Sequence, residues 1–137
     1  MHVELVLPKT SLHAYSYTSI HNHSSSLRVP FKRTIAVLGN PNVGKTTLFN
    51  RIAGIRAKTS NFPGTTQEAR VAHINLDKES QKGAHNESVL IDLPGIYSLH
   101  LDLSESKVCN QTLEGTTAPT GEPAQVPDAL MVVVDAT

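Results

Sequence analysis

Cysteine is almost missing from this chain of 137 residues, with Cys109 the single copy. One thiol excludes an internal disulfide and any CxxC metal or redox site, and leaves Cys109 as a packing residue. Tryptophan is absent, and aromatic residues make up only 4% of the chain. An excess of either charge is also absent, since 12 Lys and Arg are balanced by 12 Asp and Glu. No basic field is available to draw in nucleic acid. No stretch approaches the roughly 18 consecutive apolar residues of a membrane-spanning helix. The first residues lack the apolar core of about 7–15 residues and the small-residue cleavage site of a secretory signal. There is no internal repeat, and the length allows one domain at most.

Against these absences one segment stands out. Residues 39–46 read Gly39-Asn40-Pro41-Asn42-Val43-Gly44-Lys45-Thr46, matching G-x-x-x-x-G-K-[ST] at each fixed position. Upstream, Thr34 to Leu38 is a short β-branched and apolar run, the pattern of a buried strand. Downstream, Thr46 to Ala53, with Thr47 in its first turn, has helical character and stops at Gly54. Strand, glycine loop and helix form an anion site, because backbone N–H groups and the helix N-terminus face one phosphate. Lys45 is placed to reach the β- and γ-phosphates, and the Thr46 hydroxyl to hold Mg²⁺.

Val89 to Asp92 is another apolar strand, ending in Asp92-Leu93-Pro94-Gly95. A carboxylate at the C-terminal tip of a parallel strand beside the loop can hold Mg²⁺, directly or through water. Gly95 has no Cβ, so its N–H can approach a γ-phosphate closely. Between the two motifs, Lys58 to Glu68 reads as a polar loop containing Phe62-Pro63-Gly64-Thr65-Thr66. In a nucleotide switch such a loop is ordered by the γ-phosphate and its metal, with a Thr hydroxyl completing the metal shell.

Taken together, GNPNVGKTTLFNRIAG, NFPGTTQE and LIDLPGIYSL resemble the G domain of the FeoB family of bacterial ferrous iron transporters. The resemblance spans about residues 33–107, with VVVDAT at 132–137 as a further strand. It implies GTP and GDP as ligands and regulation of Fe(II) uptake as function. It also implies Mg²⁺ as cofactor, held by Thr46, Thr66 and Asp92. The implied partner is the rest of a transporter, including its membrane domain, so the location is the cytoplasmic face of the cell membrane. Nucleotide binding falls on Gly39 to Thr47, on Gly64, Thr65 and Thr66, and on Asp92 to Gly95. Catalytic roles fall on Lys45 and on Asn40, whose position in the family helps bind a K⁺ that assists hydrolysis.

Ile96 stands where Ras-like enzymes place a water-orienting Gln, and it cannot hydrogen-bond. His100, Asp102 and Glu105 follow nearby and read as solvated residues of the second switch region. The guanine-reading N-K-x-D motif and the Ser-Ala loop belong after the fourth strand, where this sequence ends. The chain therefore reads as the phosphate and metal half of a G domain. Two other readings stay open: a soluble ribosome-assembly or tRNA-modification GTPase, and a non-catalytic nucleotide-binding fragment.

The expected fold is an α/β phosphate-loop GTPase domain over 33–137, truncated after its fourth strand. Strands are expected at 34–38, 69–76, 88–92 and 129–134, in sheet order 2-3-1-4, with helices near 46–53 and 102–113. Residues 1–32 read as a disordered extension, although 1–7 alternate weakly. His13, His21 and His23 lie there without carboxylate or Cys partners, which argues against a metal site. Residues 77–87 read as a loop between antiparallel strands, and 111–128 as an inserted linker.

Overall fold

A computed structural model describes residues 2–6, 32–75 and 87–135. They form a six-stranded mixed sheet: β1 (His2–Val6), β2 (Arg33–Gly39), β3 (Ala57–Asn61), β4 (Glu68–Asn75), β5 (Glu87–Asp92) and β6 (Ala129–Val134). Two helices, α1 (Lys45–Ala53) and α2 (Ser104–Leu113), join them, and a single 3-10 turn, Gly54–Arg56, leads from α1 to β3. The sheet order is β1-β6-β2-β5-β4-β3. Its four middle members reproduce the expected 2-3-1-4 order. No described helix is long and apolar enough to cross a membrane.

The central strands follow from their side chains. β2 pairs in parallel with both β5 and β6, and its residues from Thr34 to Gly39 are buried or half-buried. β5 is buried from Ser88 to Asp92. Strands covered on both faces read as continuous apolar runs, which is why these two were visible as such. One face carries Ala36, Val71, Val89 and Ile91 against Val108 and Cys109 of α2. The other carries Val37, Ala72, Leu90 and Val133 against Phe49 and Ala53 of α1.

The edges differ from expectation. The first half of the polar segment 58–68 is strand, not loop: β3 pairs antiparallel with β4 from Ala57↔Ala72 to Asn61↔Glu68. An edge strand needs no apolar alternation, and Lys58 and Thr59 are exposed on it. This narrows the loop between the motifs to residues 62–67. At the opposite edge, β1 pairs antiparallel with β6, His2 facing Val134. The expectation of a disordered extension therefore does not hold for residues 2–6. The histidines at 13, 21 and 23, Leu76 and the loop at 77–86 lie outside the described residues.

Residues 111–128 are not simply an inserted linker either. Residues 111–113 complete α2, Ala118, Pro119 and Pro127 are buried, and the polar side chains beyond them bond to the sheet. Asp128 accepts from the Thr34 amide at 2.7 Å and donates its own amide to the Thr34 carbonyl at 2.8 Å. Several of these polar side chains are exposed as well, but they also bond to partners distant in the chain.

Candidate phosphate site

The loop after β2 turns around a bowl of about 450 Å³ lined by Asn40, Pro41, Asn42, Gly44, Lys45, Thr46, Thr47 and Gly95. Its shape depends on two left-handed residues, Asn42 at φ 66° and Gly44 at φ 88°. Asn tolerates that region and Gly occupies it freely, so the chain can fold its amides inward before α1 begins at Lys45. Leu48 then donates its amide to the Gly44 carbonyl at 2.9 Å, the first bond of the helix.

The third motif is locked to this loop through backbone. Leu93 donates its amide to Val37 O at 3.1 Å, and Ile96 donates to Gly39 O at 3.1 Å. A Cβ on Gly95 would stand 3.0 Å from the Pro41 Cα, so a glycine is what lets the two loops close to this distance. Ile96 is 7% exposed and packs in the core with Leu93 and Cys109. With its amide committed to Gly39 and an apolar side chain turned inward, Ile96 offers no group to orient water.

At the floor of the bowl three predicted residues meet. Lys45 Nζ donates to Asp92 Oδ1 and to the Leu93 carbonyl, both at 2.5 Å. The Thr46 hydroxyl lies 3.4 Å from Asp92 Oδ2. Lys45 and Asp92 side chains are only 9% and 5% exposed, so the ion pair is shielded from solvent. The hydroxyl and carboxylate are hard oxygen donors of the kind that suits Mg²⁺. A second cavity of about 250 Å³ opens beside them, adding Thr59, Glu68 and Arg70 to Lys45, Thr46 and Asp92. Arg70 stands directly across from Asp92 in the β4–β5 register, and its Nη1 donates to Asn50 Oδ1 at 3.1 Å. No motif marks Thr59 or Arg70; the pairing of β3 with β4, Thr59 facing Arg70, and of β4 with β5 places them here.

The 62–67 loop is not brought to the floor. Gly64, Thr65 and Thr66 are exposed and line neither cavity. Thr65 Oγ1 accepts from the Gln67 amide at 3.0 Å and donates to Phe62 O at 3.3 Å, so its hydroxyl is committed to the local turn. Val43 packs against the core on the α1 side rather than lining the bowl. Gln67 reaches instead toward α2, donating to Ser104 Oγ at 3.0 Å and to Glu105 at 3.5 Å. The Glu105 carboxyl is held below the usual range, first by its own backbone amide and then by the Ser104 hydroxyl. Asp102 is exposed and pairs with Lys107 at 2.7 Å, and His100 is exposed, as expected for solvated residues. Among the described residues no cluster of His, Cys, Asp and Glu could hold a metal by itself.

Cys109 sits behind the third motif, fully buried, 3.6 Å from the Pro94 carbonyl. Burial pushes its thiol up to about 12, with Lys45 opposing the rise and Glu105 adding to it. Because the folded value is raised, this contribution to stability is whole below the thiol's ordinary value of 9.0 and is lost as pH climbs toward about 12. Iodoacetamide at pH 8 should leave Cys109 unmodified in the folded chain and label it in urea. Mass spectrometry of the two samples checks this; labelling of the native chain would contradict the burial.

Sheet order, bowl and floor define the class: an α/β phosphate-loop domain of the GTPase type. The family model for ferrous iron transport protein B matches residues 33–137, and the chain belongs to that family. The Fe(2+) transporter FeoB of Salmonella typhimurium is 39% identical over 111 residues, 77% of this chain and 12% of that protein. The transporter of Escherichia coli K12 has the same identity and coverage. The chain thus spans about an eighth of the length of these curated relatives, 12%. Among solved structures, the G domain of the T. maritima FeoB iron transporter matches with a TM-score of 0.56 at 32% identity. That match covers 77% of this chain and 57% of the other. A GDP-bound mutant of the S. thermophilus FeoB G domain matches with a TM-score of 0.54 at 35% identity, covering 76% and 34%. The family model over residues 33–137 favours this family over a ribosome-assembly or tRNA-modification GTPase.

Proposed function

We propose that this chain binds a guanine nucleotide in its phosphate loop and serves as the GTP-hydrolysing part of a ferrous iron transporter, regulating Fe(II) uptake from the cytoplasmic face of the membrane. The observation that carries this is the convergence of Lys45, Thr46 and Asp92 on the floor of a bowl built by Asn40 to Thr47 and Gly95. The GDP-bound relative supports the choice of nucleotide. The rest of the transporter, including its membrane domain, is the partner this role requires.

The roles follow from the geometry. Backbone amides of residues 39–46 would bind the β-phosphate, aided by the N-terminus of α1. Lys45 would leave Asp92 and place its charge between the β- and γ-phosphates, where charge builds during transfer. Thr46, Asp92 and, after loop movement, Thr66 would hold Mg²⁺, which when bound supplies charge neutralisation between the phosphates. Gly95 and Pro41 close the γ-phosphate side of the bowl. Titration of the chain with GDP and GTP in Mg²⁺ tests the phosphate-site reading; no affinity for either would reject it.

Asn40 is exposed at the rim of the bowl. Its side-chain oxygen is a suitable donor for K⁺, which would add positive charge beside the phosphates, a role arginine plays elsewhere. With Ile96 unable to orient water, such charge carries more of the rate. Hydrolysis should be faster in KCl than in NaCl at equal ionic strength. Asn40→Ala should remove most of that difference while leaving nucleotide binding largely intact. Single-turnover rates in the two salts decide the matter, and identical wild-type rates would reject the cation role.

A further inference from the structure

The segment from 114 to 128, between α2 and β6, grips the base of the loop that carries Thr66. Thr120 donates both its amide and its hydroxyl to the Asn61 carbonyl, each at 2.9 Å. Ser60 Oγ donates to the Thr120 carbonyl at 2.9 Å. The segment is itself anchored on either side of this contact. Pro119 is fully buried, and Glu122 meets His73 Nε2 on β4 at 2.7 Å and Lys32 Nζ at 3.3 Å. Farther on, Gln125 Nε2 donates to Thr34 Oγ1 at 2.7 Å, at the start of β2.

Ser60 and Asn61 are the last residues of β3, immediately before Phe62. Phe62 is 1% exposed, and its amide donates to Gln67 O at 3.0 Å, closing the loop. In this conformation Thr66 is exposed and lines neither cavity at the site. Carrying its hydroxyl to Thr46 and Asp92 requires the loop to be re-laid, and the end it must pivot on is the end that Thr120 holds. Contacts made in one conformation and lost in the other weight the equilibrium between them.

We propose that Thr120 and Ser60 form a clasp, a positioning pair that holds the 62–67 loop in its withdrawn conformation, so that triphosphate binding works against it. The inference rests on the phosphate-site reading above. It sets the direction of an effect that damage to the fold would not produce. Loosening the clasp raises affinity for the triphosphate and leaves the diphosphate alone, because only the triphosphate needs Thr66.

The test uses the whole chain with Ser60→Ala/Thr120→Val, and with Thr120→Ser as the variant that keeps the hydroxyl. Both lost bonds are exposed and individually weak. Affinity for a non-hydrolysable GTP analogue in Mg²⁺ should rise about fivefold, with GDP affinity unchanged and Thr120→Ser close to wild type. In the absence of nucleotide, the Phe62 and Thr65 amides should exchange with deuterium about fivefold faster in the double variant. An unchanged or lowered affinity for the analogue in a variant that still binds GDP would overturn the clasp. So would exchange rates equal to wild type. If the double variant fails to fold, Ser60→Ala alone carries both measurements. A wild-type chain that bound neither nucleotide would overturn the phosphate-site reading instead, and the exchange rates would still decide the clasp.

Discussion

Lys45→Ala should lower affinity for the triphosphate by about two decades, the loss expected for one charge-assisted contact of ~2–3 kcal/mol. The structure adds a second consequence. Lys45 Nζ is the cation that meets Asp92 Oδ1 at 2.5 Å, in a pair with side chains only 9% and 5% exposed. Removing it leaves a buried carboxylate with the Thr46 hydroxyl at 3.4 Å as its remaining bonded side chain. Breaking one side of a buried pair costs about 3–5 kcal/mol, so the variant should also melt earlier without nucleotide. The two effects are separable. Lys45→Ala/Asp92→Asn removes both charges, and its melting temperature should recover much of the loss while triphosphate affinity stays low. Isothermal titration below the variant's melting transition measures the first effect and scanning calorimetry the second. Triphosphate affinity equal to wild type in a folded Lys45→Ala chain would sink the assignment of this loop.

The parts of the fold visible in the sequence are those whose cause is local. The loop from Gly39 to Thr46 is specified by glycines, a lysine and a hydroxyl within eight positions, and the floor of the bowl by Asp92 and Gly95 at the end of one strand. β2 and β5 were legible because burial on both faces makes their centres, Ile35 to Leu38 and Val89 to Ile91, continuous apolar runs. β3 was not, because an edge strand made of Ala-Lys-Thr-Ser-Asn carries no apolar signature and is held by its register with β4. The segment from 114 to 128 was misread for a related reason. Its Thr, Glu, Gln and Asp residues bond to Asn61, His73 and Thr34, partners far away in the chain, and composition alone cannot tell a bonded polar residue from a solvated one. Arg70 and Thr59 belong to the same blind spot, since only strand pairing puts them beside Asp92.

That pairing bears on how the two threonines of the switch loop divide their work. Thr65 spends its hydroxyl inside the turn, accepting from Gln67 and donating to Phe62. Thr65→Ala should therefore lower stability by about 1 kcal/mol and affect both nucleotides alike. Thr66 is exposed in this conformation, so Thr66→Ala should leave the melting temperature unchanged. Its cost should appear only with the triphosphate and Mg²⁺, where the hydroxyl is needed to complete the metal shell. Asp92→Asn should share that signature, since an amide matches the carboxylate in shape but lacks its charge. It also leaves Lys45 without its anion, which moves the lysine toward the phosphates and tends to preserve diphosphate binding. Affinities for GDP and a non-hydrolysable GTP analogue, measured in Mg²⁺ and again in EDTA, separate these contributions. About a tenfold or larger loss is expected for the analogue in Mg²⁺ with either variant, little loss for GDP, and convergence with wild type once EDTA removes the metal. Equal losses for both nucleotides, persisting in EDTA, would mean that Asp92 and Thr66 hold the fold and not the metal.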